Sequence, residues 1–348
     1  DVEVGIFLSG GYDSSLVTAI AKKELNKDIP AFTIGFSNKS FDESSDATKI
    51  ADYLGIPHKI KICSPEDASK IIPLLPKVYD EPFGDSSSIP TILLSKFVSK
   101  HVKVALSADG GDELFGGYRK YLNSIKLSRM IRFIRPLSFL IKPEHLKFFP
   151  VNIMRKYSGF DLNTETLKKA LNIINNSSSI QESSYLIENS IHSSKILQNI
   201  LEREFYEECD HLLFDKKQDS ISEMLFQDIK TYLPSDIMVK VDRASMYFGL
   251  EAREPLLDHD LVKASLKMAN DQKIKDKSGK VILKEICHEY IPSEIMDRPK
   301  KGFGVPVREW MRRDLRYLFD ECFIDDVEIL NEFNKKELIK IVTDYYKG

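Results

Sequence analysis

The sequence predicts an α/β protein built on a doubly wound parallel sheet, with a large helical C-terminal part. Short apolar runs alternate with helical patterns through the first third of the chain. Two glycine-rich acidic loops each follow such a run. These loops fall at the carboxyl ends of strands, where open α/β sheets bind ligands.

The elements follow in order. Val2–Leu8 is apolar and reads as a first strand, ending in the turn Ser9-Gly10-Gly11. A helical pattern through Leu16–Ala21 comes next. Ala31–Phe36 reads as a buried second strand. Asp42–Leu54 carries Ala47, Ile50, Ala51 and Leu54 at helical spacing and is followed by Gly55, a C′ residue. His58–Ile62 is a third strand. Ser64 then caps, and Pro65 opens, a helix running towards Val78. Ser86–Val98 reads as a helix with Pro90 near its start, and Val102–Leu106 as a fourth strand. Residues 1–118 thus form the expected core, 119–233 a variable helical insert, and 234–348 a helical region for substrate and closure. Within the last, Ser235–Phe248 predicts a helix that packs Met238, Val241, Ser245 and Phe248 inward and places Lys240 and Arg243 on another face. Arg253 and Asp258 follow in a loop, with Glu254 extended before Pro255.

Composition narrows the function classes. The 348 residues suffice for a large core, and 42% hydrophobic with 30% charged residues is ordinary for a globular protein. A net charge of -3 supplies no general field for nucleic acid. Cys63, Cys209, Cys287 and Cys322 lie far apart, which argues against a zinc site or disulfide framework and predicts a cytoplasmic protein. No apolar stretch is long enough to span a bilayer, and no signal peptide is visible. The start at Asp1 leads to the expectation of a processed or excised N-terminus. Residues 119–156 hold ten Lys/Arg and one acid, Glu144, which we read as a helix with one solvated face.

The first loop, Ser9-Gly10-Gly11-Tyr12-Asp13-Ser14-Ser15, places paired glycines at a helix start. Backbone N–H groups there approach an anion closely, and the helix adds positive potential. Ser9, Ser14 and Ser15 offer hydroxyls. Asp13 would repel bare phosphate, so its place in the loop makes sense as a Mg²⁺ ligand. The second loop, Ser107 to Tyr118, carries Asp109, Asp112 and Glu113 among four glycines. Carboxylates so dense repel unless a cation or cationic substrate lies among them. Asp112 partners Asp13 on Mg²⁺ if the two strand ends are adjacent; the alternative is an acidic solvated turn.

The first loop resembles the pyrophosphate-binding loop of the ATP pyrophosphatase superfamily. Four segments together resemble the synthetase domain of glutamine-hydrolysing asparagine synthetases: Ser9–Ser15, Leu106–Tyr118, Asp236–His259 and Arg298–Pro306. The resemblance implies an ATP pyrophosphatase-type sheet and ATP-driven amidation of a carboxylate through an acyl-AMP, with ATP and Mg²⁺ as cofactors. Asp13 and Asp112 would hold the metal. Leu8, Ser9, Gly10, Gly11, Asp13, Ser14, Ser15, Ile34, Ser107, Ala108 and Gly110 would form the ATP and pyrophosphate site. Asp109 matches an acidic position associated with the ammonia proton, and some members have the longer Glu there. Ala108 stands where Gly is usual. Lys300 matches the family's phosphate-neutralising lysine. Glu113, Lys240, Asp242, Arg243, Arg253 and Asp258 are candidates for an amino-acid substrate, or equally for structural ion pairs.

Aspartate is the expected substrate, with ammonia from a glutaminase domain absent from this chain or from a separate subunit. A related adenylating ligase acting on another acid shares the ATP site: a β-lactam synthetase, a lasso-peptide cyclase or a pathway amidotransferase. A non-catalytic relative is disfavoured by the presence of Asp13, Asp112 and Lys300.

Overall fold

A five-stranded parallel sheet with order β3-β2-β1-β4-β5 organises the chain. The computed structural model describes residues 2–25, 28–140, 164–189, 199–201, 214, 219–298, 304–324 and 332–347. The strands are β1 (Val4–Phe7), β2 (Ala31–Phe36), β3 (His58–Cys63), β4 (Val104–Leu106) and β5 (Glu251–Arg253). The order reverses between β1 and β4, which pair in parallel with Val4 opposite Val104 and Ile6 opposite Leu106. Such a reversal opens a crevice at the strand carboxyl ends.

Pleating sends alternate residues of β2 to opposite faces. Phe32, Ile34 and Phe36 join one apolar cluster with Ile89, Ile92 and Val98. Ala31 joins the other, with Leu8, Leu16, Ala19, Ala47 and Ile50. Full burial of each large side chain contributes roughly 1.5–3 kcal/mol. Helices α1 (Tyr12–Leu25) and α2 (Ser44–Leu54) form as the apolar spacing predicts, and Gly55 closes α2 in a left-handed conformation.

Five readings change. The helix expected from Pro65 to Val78 is broken into α3 (Pro65–Ile71), a 3₁₀ turn Ile72–Leu74 and α4 (Leu75–Tyr79). Pro73 and Pro76 lack the N–H a continuous helix needs. The next helix, α5, starts at Ser88, and β4 starts at Val104. The segment read as a loop around Arg253 is a fifth strand, pairing Glu251 with Val104 and Arg253 with Leu106. Three residues, two of them charged, carry no apolar alternation; such edge strands are short and charged. A π-helical turn, Leu233–Ile237, leads into the helix Met238–Tyr247.

The chain divides into two units, one of residues 1–117 and 228–325, the other of 118–227 and 326–348. In the second, α7 (Arg119–Ile134) follows α6 (Gly111–Phe115) of the first in sequence. It packs Leu127 and Ile131 with Ile174, while Phe133 stays 81% exposed. The basic stretch beyond residue 140 lies outside the described residues.

Candidate active site at the sheet switch point

The two acidic loops leave adjacent strands. β1 runs into Ser9–Gly11 and α1; β4 runs into Ser107–Gly110 and α6. Serine hydroxyls knit the first loop. Ser9 N–H donates to Ser14 Oγ at 3.2 Å, Gly11 N–H donates to Ser9 Oγ at 3.2 Å, and the two hydroxyls lie 3.0 Å apart. Gly10 holds φ +81°, open chiefly to glycine. A side chain there would also meet Ala47 N at 3.0 Å. Ser14 is buried; Ser15 is fully buried, and its Oγ has no hydrogen-bond partner among the described residues. Leu8 and Ile34, the expected adenine-pocket residues, are buried in the two clusters.

Asp13 and Asp112 converge on one cation, Lys280. Its ammonium lies 2.7 Å from Asp112 Oδ1 and also pairs with Asp13 Oδ2. The lysine is buried at 7% exposure, has φ +59°, and caps the helix Val281–Tyr290. Burial alone would depress its pKa, but the two carboxylates override this and hold it above the ordinary lysine value. Gly111 permits the approach: a Cβ there would lie 2.6 Å from Asp13 Cγ. Lys280 was missed in the sequence; its local signal is the Ser278-Gly279 pair just before a helical pattern.

The pair of carboxylates fits a divalent cation. Both are oxygen donors, and a buried positive charge already sits between them. No cluster of three or more His, Cys, Asp or Glu ligands occurs among the described residues. A metal held by Asp13 and Asp112 therefore leaves positions for phosphate oxygens and water.

Asp109 receives a hydrogen bond from Ser107 Oγ at 2.5 Å. Burial raises its carboxyl pKa, opposed by Ser107 and Lys240 and reinforced by Asp112. Ala108 is half-buried and Gly110 holds φ +89°. Glu113 is buried at 1% exposure.

The remaining candidates separate. Lys240, expected on a face shared with Arg243 and as a substrate contact or a structural ion pair, is buried and pairs with Asp85 at 2.7 Å. Burial pushes the Asp85 carboxyl up, but Lys240 and the Ser87 hydrogen bonds together hold it low. Arg243 donates to Tyr79 O at 2.7 Å and to Asp80 at 2.6 Å. Asp242 is exposed. Arg253 turns to Glu251 at 2.7 Å. Asp258 caps the helix His259–Lys267, accepting from Asp260 N–H at 3.0 Å. Lys300 lies outside the described residues; the preceding Arg298 donates to Gly10 O and pairs with Asp46 at 3.5 Å. Asp297 accepts from Tyr12 Oη at 2.5 Å. Residues 297 and 298 thus both bind the first loop.

Among the described residues no helix is long and apolar enough to cross a membrane. The family model described as Asparagine synthase matches residues 1–347. The chain is 31% identical over 317 residues to asparagine synthetase [glutamine-hydrolyzing] 1 of Bacillus subtilis, covering 90% of this chain and 48% of that protein. It is 30% identical over 319 residues to a putative asparagine synthetase [glutamine-hydrolyzing] of Mycobacterium tuberculosis H37Rv, covering 90% and 46% respectively. With a putative asparagine synthetase [glutamine-hydrolyzing] 2 of Methanocaldococcus jannaschii it shares 34% over 250 residues, 71% of this chain and 45% of the other. The chain spans about half the length of these relatives. Its sheet, its two loops and this match along the whole sequence together place the chain in the asparagine synthase family.

Proposed function

We propose that this chain activates a carboxylate, aspartate foremost, with ATP and passes the acyl group to ammonia. The observation that carries this reading is the convergence of Asp13 and Asp112, from neighbouring strand ends, on a single cation position. A carboxylate is inert to ammonia because oxide is a poor leaving group. Transfer of AMP to it supplies a good one. The first loop and the start of α1 cradle the phosphates through the Ser9 and Ser14 hydroxyls and backbone N–H groups other than those of Ser9 and Gly11, which the loop's own hydroxyls take. Mg²⁺, held by Asp13 and Asp112, would neutralise phosphate charge. Lys280, from beside these carboxylates, and Lys300 add positive charge for the phosphates. Leu8, Ile34 and Ser107 border the adenine and ribose, and Asp109 receives the proton shed by the attacking nitrogen.

Ammonia comes from glutamine hydrolysed on a domain or subunit other than this chain, in line with the names of its relatives. The buried free thiols of Cys63 and Cys287 fit a reducing cytoplasm. Residues 1–118 serve as the nucleotide core, 119–233 as an insert and 234–348 as the substrate and closure region. The test is pyrophosphate release with Mg-ATP across a panel of amino acids and ammonium. Release with aspartate supports the reading. Release only with another acid moves the substrate to a related ligase, and none with any acid overturns ligation.

A further inference from the structure

Glu254 belongs to no candidate set drawn from the sequence, yet it stands beside the acid at the centre of the proposed chemistry. β4 and β5 pair in parallel, Leu106 opposite Arg253, so Ser107–Asp109 and Glu254 leave the same sheet edge side by side. Ser107 N–H donates to Arg253 O at 2.8 Å, extending that pairing beyond the strand ends. The Leu257 side chain fills the space beneath Gly110, seating the Asp109 turn on the segment that carries Glu254. Arg253, the nearest cation in sequence, turns to Glu251. Lys240 acts on Asp109 and is itself paired with Asp85.

Half-buried, Glu254 faces charge of its own sign. Burial first, then Asp109 and Asp242, push its carboxyl up to about 7, against a partial offset from its own backbone. Asp109 is also raised, by burial first and by Asp112, against Ser107 and Lys240. Burial and the neighbouring Asp109 charge favour the protonated form of Glu254, so it keeps a proton near neutral pH at the strand end beside the Asp109 turn.

We propose that Glu254 is the positioning partner of Asp109: the two carboxyls share a proton, and Glu254 passes on to solvent the proton that Asp109 takes from the attacking nitrogen. This rests on the function proposed above. The C–N bond forms from the ammonia lone pair. The bond from the acyl carbon to the phosphate oxygen breaks, and its electron pair leaves with AMP. One N–H proton goes to Asp109, then to Glu254, then to water, so the balance needs no further reactant.

The test pairs kinetics with a titration that needs no turnover. Amide formation from ammonium is followed across pH, with pyrophosphate release measured in parallel, for the unsubstituted chain, E254Q and E254D. The expected result is a limb near pH 7 that moves by at least about one unit in E254Q and returns in E254D. The amide-to-pyrophosphate ratio falls about tenfold in E254Q, which corresponds to about 1.4 kcal/mol. An unchanged profile, or equal loss of both products, overturns the proposal. Infrared titration of the free protein then separates the two readings. The protonated Glu254 band, identified by its loss in E254Q, is expected to disappear at lower pH in Asp109→Asn. If that band ignores Asp109→Asn, the pairing is wrong whatever the reaction. If it moves while no acid is activated, the shared proton stands and the ligase reading fails.

Discussion

The Lys280 ammonium sits 2.7 Å from the Asp112 carboxylate while also pairing with Asp13, although the three residues come from three separate parts of the chain. A buried cation between two carboxylates balances charge that would otherwise repel. Removing one partner of a buried pair costs about 3–5 kcal/mol, because the others are left uncompensated. Lys280→Met is therefore expected to melt well below the unsubstituted chain in chelator. Mg²⁺ should restore more stability to the variant than it adds to the parent. Equal gains from Mg²⁺ in parallel thermal melts would remove the cation site from this account.

Asp13→Asn and Asp112→Asn each delete a negative donor while keeping shape. Loss of several kcal/mol of charge stabilisation on the phosphates predicts at least a hundredfold drop, roughly, in pyrophosphate release. Circular dichroism should show the fold retained. Near-normal release by either variant would falsify the metal assignment.

Gly111→Ala probes the close approach of the two loops. Its new Cβ would stand 2.6 Å from Asp13 Cγ, so the carboxylate or the α6 turn must shift. The expected stability cost is about 1–3 kcal/mol, with a larger proportional loss of nucleotide binding. Calorimetric titration with Mg-ATP checks it, and parent-like affinity contradicts the geometry.

His58 predicts a separate pH dependence of stability. Its Nε2 lies 2.7 Å from Thr33 Oγ1, and burial lowers its pKa, partly opposed by Asp52. The folded chain therefore prefers neutral His58. The unfolded chain takes up the proton first as pH falls below about 6.5, so stability is lost on acidification through that value. His58→Gln should flatten this part of the denaturation-midpoint curve between about pH 7 and 5. An unchanged slope counts against it.

Much of the sheet was legible because buried strands and glycine-led loops are local patterns. Ala31–Phe36 needs no partner to reveal itself, and Gly55 announces the end of α2. β5 was not legible: Glu251-Ala252-Arg253 becomes a strand only because the β4 backbone offers it hydrogen bonds. The partner of Lys240 was not legible for a related reason. Helical spacing set it apart from the inward face, but Asp85 draws it into the interior.

The sequence by itself determined the class of fold, the two acidic loops and the family, since these depend on residue type and near-neighbour order. Tertiary structure alone decided that Lys280 closes the Asp13–Asp112 pair and that Glu254 stands at the strand end beside Asp109. Electrostatic pairing depends on distance and on burial, and neither is set until strands far apart in the chain lie side by side.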